Sequence, residues 1–334
     1  MSRQIWNDFY FFENEPMAKQ FLTRQYQRQG ELDCHILAYK NTHKFIYYIK
    51  QARAYYETAE GSHIIVKPLL LYYGMTSLVK AVLTSLNPYY PQNTRVLKHG
   101  ISTRKLKKAE YQFHKDEIKI QKDGLLPLFL SYFLDPKKLK RDKFTVIQLL
   151  SQLPELTSAY QRLYNDIAMI QVHVTDFFHE KLKGTPIFMS EKILDEYHMT
   201  YSSFLNYMNQ FNEGEIYFSE CNIPLSKGTI CYLWNHPSQK HLSDVRCGIQ
   251  NKMFSLDDKG HYFIRLHFSS IDWLPEICIH LILMYILGML CRYETELWGE
   301  IIFSFTSGDM YIINEFLHLS EKKFPILILQ QIWK

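Results

Sequence analysis

The run ICIHLILMYILGMLC, residues 277–291, limits what this chain can fold into more than any other stretch. Fifteen residues fall short of the roughly 20 that a membrane-spanning helix needs. His280 interrupts the hydrocarbon and Arg292 follows it directly. A helix that is apolar on every side has to be surrounded by other packed elements. The run therefore predicts a central buried helix. Composition can supply the wrapping: 47% of the 334 residues are hydrophobic, with 24 Tyr and 22 Phe, which is enough apolar area for a large core and argues against disorder.

Helical spacing dominates the N-terminal half. Residues 42–60 place Phe45, Ile49, Ala52 and Tyr56 on one face, with Thr42 as the expected cap. Residues 67–88 begin with Pro68 in the first turn and end at Asn87-Pro88. Leu71, Met75, Leu78, Val82 and Leu86 recur there in steps of three and four, so this helix is expected to be largely buried. Helical patterns return around 144–182 and 190–211. Between 214 and 270 the texture changes to EIYFSE, TICYLW, NKMFSL and HYFIRLHF, with DDKG at 257–260 as a hairpin turn. Four helical segments follow: 272–291, 293–303, 308–319 and 321–333. The expected fold is mainly α: a helical bundle-like protein with a small antiparallel β insertion. Its expected regions are helical 1–212, β 213–270, and C-terminal helices 271–334 packing on the N-terminal region.

The formal net charge is only +4, too small to coat nucleic acid with the whole surface. Its distribution is uneven. Residues 95–143 hold 14 Lys or Arg against 6 Asp or Glu, a balance of +8, so the remainder sums to −4. Six cysteines (Cys34, Cys221, Cys231, Cys247, Cys278 and Cys291) are scattered, as in a reducing compartment, and the first residues lack a signal-peptide apolar run. The expectation is a cytoplasmic protein that does not enter a membrane.

Within the basic segment, RVLKHG at 95–100 admits three readings. If Arg95 and His99 share one helical turn, the guanidinium can hold phosphate oxygens while the imidazole moves a proton. The pair can also clamp an anion without catalysis. The third reading is a solvated turn closed by Gly100 in a left-handed conformation. The wider segment favours anion binding by Arg95, Lys98, His99, Ser102, Thr103 and Arg104, with Lys105, Lys107, Lys108, Lys115 and Lys119 adding charge. The ligand class stays open between nucleotide, RNA and an acidic protein surface. Zinc is not expected. Cys231, His236, His241 and Cys247 have suitable chemistry, but no close Cys pair is present and Cys231 sits in a strand-like run. No phosphate-binding glycine loop, dinucleotide fingerprint, zinc-protease motif or nucleophile elbow occurs, and no cofactor is expected. Arg292 with Glu294, Glu296 and Trp298 reads first as a stitch between two helices.

Three motifs in order, PLLLYYGMTSLVKAVL, LKHGIST and LILMYILGMLCRYETELWGEI, resemble the YaaC-like family of Bacillus and its relatives over nearly the full chain. The resemblance implies a cytosolic bacterial protein and assigns no activity. Members are often encoded beside IMP dehydrogenase, which implies a link to purine metabolism. The helix followed by His-Gly is also similar to HEPN helical domains, some of which are ribonucleases with an Arg-x4–6-His motif. Arg95 and His99 enclose only three residues, and Arg28 to His35 encloses six but crosses Gly30. The expected function is a non-catalytic regulator or adaptor. It binds a protein partner such as IMP dehydrogenase, a purine nucleotide, or both, and a homodimer is one arrangement open to it. The alternative is a HEPN-like metal-independent ribonuclease or RNA-binding protein, with Arg95 and His99 catalytic.

Overall fold

The computed structural model describes residues 3–103, 111–135, 139–175, 184–212, 216–235, 251–266, 268–269, 271, 273–304 and 308–333. The chain divides into two compact units: Met1–Leu149 with Leu274–Lys334, and Leu150–Trp273. The first is helical with a small sheet, the second a sheet with helices, and the mainly α class with a β insertion holds.

In the first unit, α1 (Arg3–Glu13), α2 (Glu15–Arg28), α3 (Cys34–Glu60) and α4 (Lys67–Leu86) form the N-terminal layer. Trp6, Phe9 and Phe12 turn one face of α1 inward, at the spacing of one helical stripe. Asn14 caps α2 by accepting from the Met17 N–H. The helix expected at 42–60 starts eight residues earlier, at Cys34. Thr42 is therefore interior, and its hydroxyl donates to the Ala38 carbonyl instead of capping. The expected bounds of α4 hold within two residues, with Pro68 in its first turn and Asn87 as its end.

Three C-terminal helices complete the unit: α10 (Glu276–Tyr293), α11 (Thr295–Phe303) and α12 (Asp309–Ile332). The break expected near residue 320 is absent, because α12 runs through Pro325 as one helix. Tertiary packing outweighs the lost N–H bond, since Phe316, Phe324 and Ile328 on either side of Pro325 are buried. Helices α10 and α12 both pack on α4, and α1 meets α12, where Phe12 and Trp333 rings lie 4.9 Å apart. By length and composition α4 and α10 could each cross a membrane, yet 72% of each apolar window is buried inside the protein. The apolar run at 277–291 is the expected core helix. His280 is accommodated there because its Nδ1 meets Ser320 Oγ at 2.8 Å and its Nε2 faces Glu276, which also pairs with Lys323.

Between the two helical layers in sequence, β1 (Ile101–Thr103), β2 (Glu117–Ile120) and β3 (Lys143–Thr145) form a three-stranded antiparallel sheet, with α5 (Leu125–Leu130) after β2. Ile101 pairs with Ile120, and Ile118 with Phe144, on one buried face. This sheet lies inside the region read as helical. Its strands of three or four residues are too short for a two-residue alternation to be visible. The basic segment is correspondingly less exposed than expected: Phe113, Asp116, Ile118 and Ile120 are buried. Helix α6 (Val146–Leu150) ends this stretch.

The second unit begins well before residue 213. Helix α7 (Thr157–Tyr164) precedes β4 (Met169–Val174) and β5 (Thr185–Ser190), followed by α8 (Lys192–Glu196) and α9 (Tyr201–Asn209). Then come β6 (Tyr217–Glu220), β7 (Thr229–Asn235), β8 (Phe254–Leu256) and β9 (Tyr262–Arg265). All four runs read as strands are strands, and β4 and β5 join them in a six-stranded antiparallel sheet of order β6-β7-β5-β4-β9-β8. The DDKG hairpin forms. Gly260 has φ +86, and the Asp257 carboxylate accepts from the Lys259 and His261 N–H groups. Met189, Phe204, Met208, Tyr232 and Ile264 form the core shared by sheet and helices.

Candidate functional site

A crossing of two glycines sets the position of His99. Gly100 has φ +75 and Gly124 φ +137, both outside the region that side-chain-bearing residues favour. A Cβ on Gly124 would stand 2.3 Å from Gly100 Cα, so the two backbones can pass only without side chains. Backbone bonds lock the crossing: Leu125 N–H donates to Lys98 O at 2.7 Å, and Leu126 N–H to His99 O at 3.1 Å. The left-handed Gly100 expected from the sequence is present, and its role is this crossing.

The shared turn between Arg95 and His99 does not form. A 3-10 turn spans Thr94–Leu97, and Lys98 is already extended at φ −66, ψ 156. Arg95 and Lys98 are exposed. Ser102 accepts a 2.6 Å hydrogen bond from Gln121 Nε2, and Thr103 pairs with Ile118 across β1 and β2. Lys119, in the same segment, faces Asp142 at 3.4 Å. Arg104, Lys105, Lys107 and Lys108 lie outside the described residues, as do His236, His241 and Cys247 of the zinc reading. Among the described residues no group of His, Cys, Asp and Glu is arranged to hold a metal.

His99 is instead joined by residues from α4 and α10. Its Nδ1 lies 2.6 Å from the Tyr72 hydroxyl, and its ring contacts the rings of Tyr72 and Tyr285 at 5.4 and 5.5 Å between centroids. His99 is an exposed residue even though its ring packs against Tyr72 and Tyr285, which are buried. Burial of the ring holds His99 below the ordinary histidine range, and the charges of Arg292 and Lys80 push it further down. Arg292, at the end of α10, donates from Nη1 to the Tyr73 hydroxyl at 3.0 Å. It thus ties α10 to α4 through Tyr73, not through Glu294 or Glu296 as read from the sequence. Tyr73 in turn stacks on Tyr55 of α3 at 5.7 Å.

The same face continues along α3 and α4. Lys80 Nζ lies 5.9 Å from the Tyr48 ring, and Lys44 donates to the Tyr90 carbonyl. Partial burial lowers the protonation tendency of both lysines. Among the described residues no carboxylate pairs with Lys44, Lys80, His99 or Arg292. Like charges repel, which is why Arg292 and Lys80 both oppose protonation of His99. Sequence reading singled out His99 and Arg292 separately but missed Tyr72, Lys80 and Tyr285. Their signal was faint: polar-tipped residues within two otherwise apolar helices.

No curated protein and no solved structure gives a significant match to this chain. The family model for YaaC-like protein matches residues 10–332, which spans α4, the His99 loop and α10 together. On that match the chain belongs to the YaaC-like family.

Proposed function

We propose that this protein is a non-catalytic cytoplasmic regulator or adaptor whose ligand-binding surface is the face around His99. The observation that supports the reading is His99 set against the Tyr72 and Tyr285 rings, with Arg292 bonded to the adjoining Tyr73 and Lys80 over Tyr48 further along α4, none of them paired with a carboxylate among the described residues. Cations offer a ligand charge, and the rings of Tyr48 and Tyr55 offer a flat group something to lie against. A purine nucleotide has both features, and IMP dehydrogenase is the first protein partner to test. The ribonuclease alternative draws less support. General acid–base chemistry needs geometry first, and Lys98 is extended where a turn would have to join Arg95 to His99.

The test is calorimetry of the purified protein against purine nucleotides, a short RNA and IMP dehydrogenase, repeated with Lys80→Gln/Arg292→Gln. Nucleotide binding that disappears in the double variant is the expected result. Cleavage of RNA by the pure protein, lost in His99→Ala, would replace this reading with the enzymatic one.

A further inference from the structure

We infer that Cys221 and Cys231 form a reversible oxidation site, a dithiol that a hydroperoxide converts into a disulfide between two neighbouring strands. Strand register brings the two together. β6 and β7 run antiparallel with Glu220 opposite Tyr232, so the next step places Cys221 directly opposite Cys231. Residues opposite one another share a face of the sheet, with Cβ atoms about 4.5–5.5 Å apart. A disulfide needs about 3.5–4.5 Å between them, so a small closing movement joins the pair. Both are free thiols, packed in one buried cluster with Leu233.

One hydroxyl holds the strands apart at this step. Tyr201 Oη accepts from the Cys221 N–H at 3.0 Å and donates to the Cys231 carbonyl at 2.6 Å. It takes the place of a ladder bond running directly from one backbone to the other, and the regular pairing of β6 stops at Glu220. The Tyr201 ring is held there by stacking on Tyr232 at 4.4 Å, and the Tyr232 hydroxyl donates to the Tyr201 carbonyl at 2.9 Å. Tyr201 is thus a wedge. Closing the strands onto a disulfide pushes its hydroxyl out of the ladder.

The pair lies away from the main core of its unit. Along β7, Ile230, Tyr232 and Trp234 face that core, whereas Cys231 and Leu233 face the other side with Phe188 and Ile223, which are only partly buried. β6 is an edge strand of four residues, and Cys221 leads into 222–228, where every residue but Ile223 is exposed. Fraying of that end exposes Cys221 without opening the core. Cys221 is 7% exposed and Cys231 0%, so Cys221 is the thiol that meets the oxidant. Burial pushes the Cys231 thiol up, and contact with Cys221 pushes it further, so it stays protonated while Cys221 reacts. The Cys221 sulfur attacks one peroxide oxygen, forming a sulfenic acid; its proton goes to the departing oxygen, which leaves as water or an alcohol. The Cys231 sulfur then attacks the sulfenic sulfur, and its proton leaves with the hydroxyl as water. Two thiols and one hydroperoxide give one disulfide, the two electrons lost by sulfur reducing the O–O bond. A small-molecule thiol reverses the step by exchange.

The experiment uses the full chain, reduced, freed of reductant and treated with hydrogen peroxide, then alkylated and digested with trypsin without reduction. Lys227 lies between the two cysteines, so trypsin leaves them in separate peptides that only a disulfide keeps together. The expected result is a Cys221–Cys231 linked species, lighter than its two free peptides by two hydrogen atoms and lost on treatment with dithiothreitol. Cys221→Ser and Cys231→Ser are each expected to remove it. In Cys231→Ser the sulfenic acid at Cys221 is expected to persist and to be trapped by dimedone. Tyr201→Phe, which removes the wedge and keeps the ring, is expected to form the link faster than the natural protein, with circular dichroism confirming that it is folded. Oxidation of Cys221 without the link in the natural protein, a link from either residue to another cysteine, or two thiols left unmodified by peroxide overturns the proposal. A link that forms no faster in folded Tyr201→Phe overturns the role given to Tyr201.

Discussion

At the residue scale, two histidines separate what a sequence pattern can reveal from what packing decides. His280 looked like a flaw in an apolar run, yet it is wholly buried and satisfied by Ser320 and Glu276. Burial pushes the Glu276 carboxyl up, but Lys323 and His280 more than reverse this, leaving it below the usual range. Glu276→Gln removes the carboxylate from a buried lysine and should cost about 3 kcal/mol in urea unfolding. Burial also holds His280 below the ordinary histidine range, although Glu276 opposes it. Below about pH 6.5 the unfolded chain therefore binds a proton that the fold resists. The stabilising contribution is complete above that pH and is lost as pH falls beneath it. Unfolding midpoints should drop between pH 7.5 and 5.5, and drop less in His280→Gln. At His99 the prediction is spectroscopic: its NMR titration midpoint should rise in Lys80→Gln/Arg292→Gln, because two cations that oppose protonation have been removed. A midpoint unchanged in that variant would mean that the three groups do not share a field.

At the element scale, the crossing between the His99 loop and the start of α5 is the part of the site most sensitive to a single atom. Gly124→Ala places a Cβ against Gly100 Cα and demands a left-handed φ from alanine. It should lose about 3 kcal/mol and displace His99 from Tyr72, as thermal melting and the His99 NMR signal would report. Ala at Gly260 meets nothing within 4 Å, so only the φ penalty applies in that hairpin and the loss should be smaller. Elements also account for the largest misreadings. Helix α12 continues through Pro325 because its flanking residues are buried, and β4, where Ile170, Val172 and Val174 alternate with the exposed Gln171 and His173, carried a strand alternation inside a region read as helical.

At the scale of the whole molecule, α10 is the member around which the first unit is assembled. From Ile277 to Gly288 every residue is buried, and the helix packs on α4 and α12. Leu283→Asp should unfold this unit, since an ionised carboxylate there has no compensating partner and costs several kcal/mol. Loss of the cooperative thermal transition, with loss of helical circular dichroism, is the expected readout. Retention of a native-like melt would show that the core tolerates a charge at its centre.

Sequence alone determined the features that depend on local periodicity and local turn chemistry. The buried α10, the bounds of α4, the four strands between 217 and 265 and the DDKG hairpin were all legible because three-to-four spacing, two-residue alternation and glycine's freedom at positive φ are local properties. Family membership was legible as well, from three motifs in order. What only the tertiary structure decided is which distant residues meet. His99 and Arg95 are near in sequence but do not share a helical turn, because the chain extends at Lys98. His99 and Arg292, 193 positions apart by number, act on one another because α4 and α10 pack side by side and Tyr72 and Tyr73 present their hydroxyls to each. A site assembled from three separate stretches leaves no spacing to read, since its geometry comes from the packing of the core beneath it.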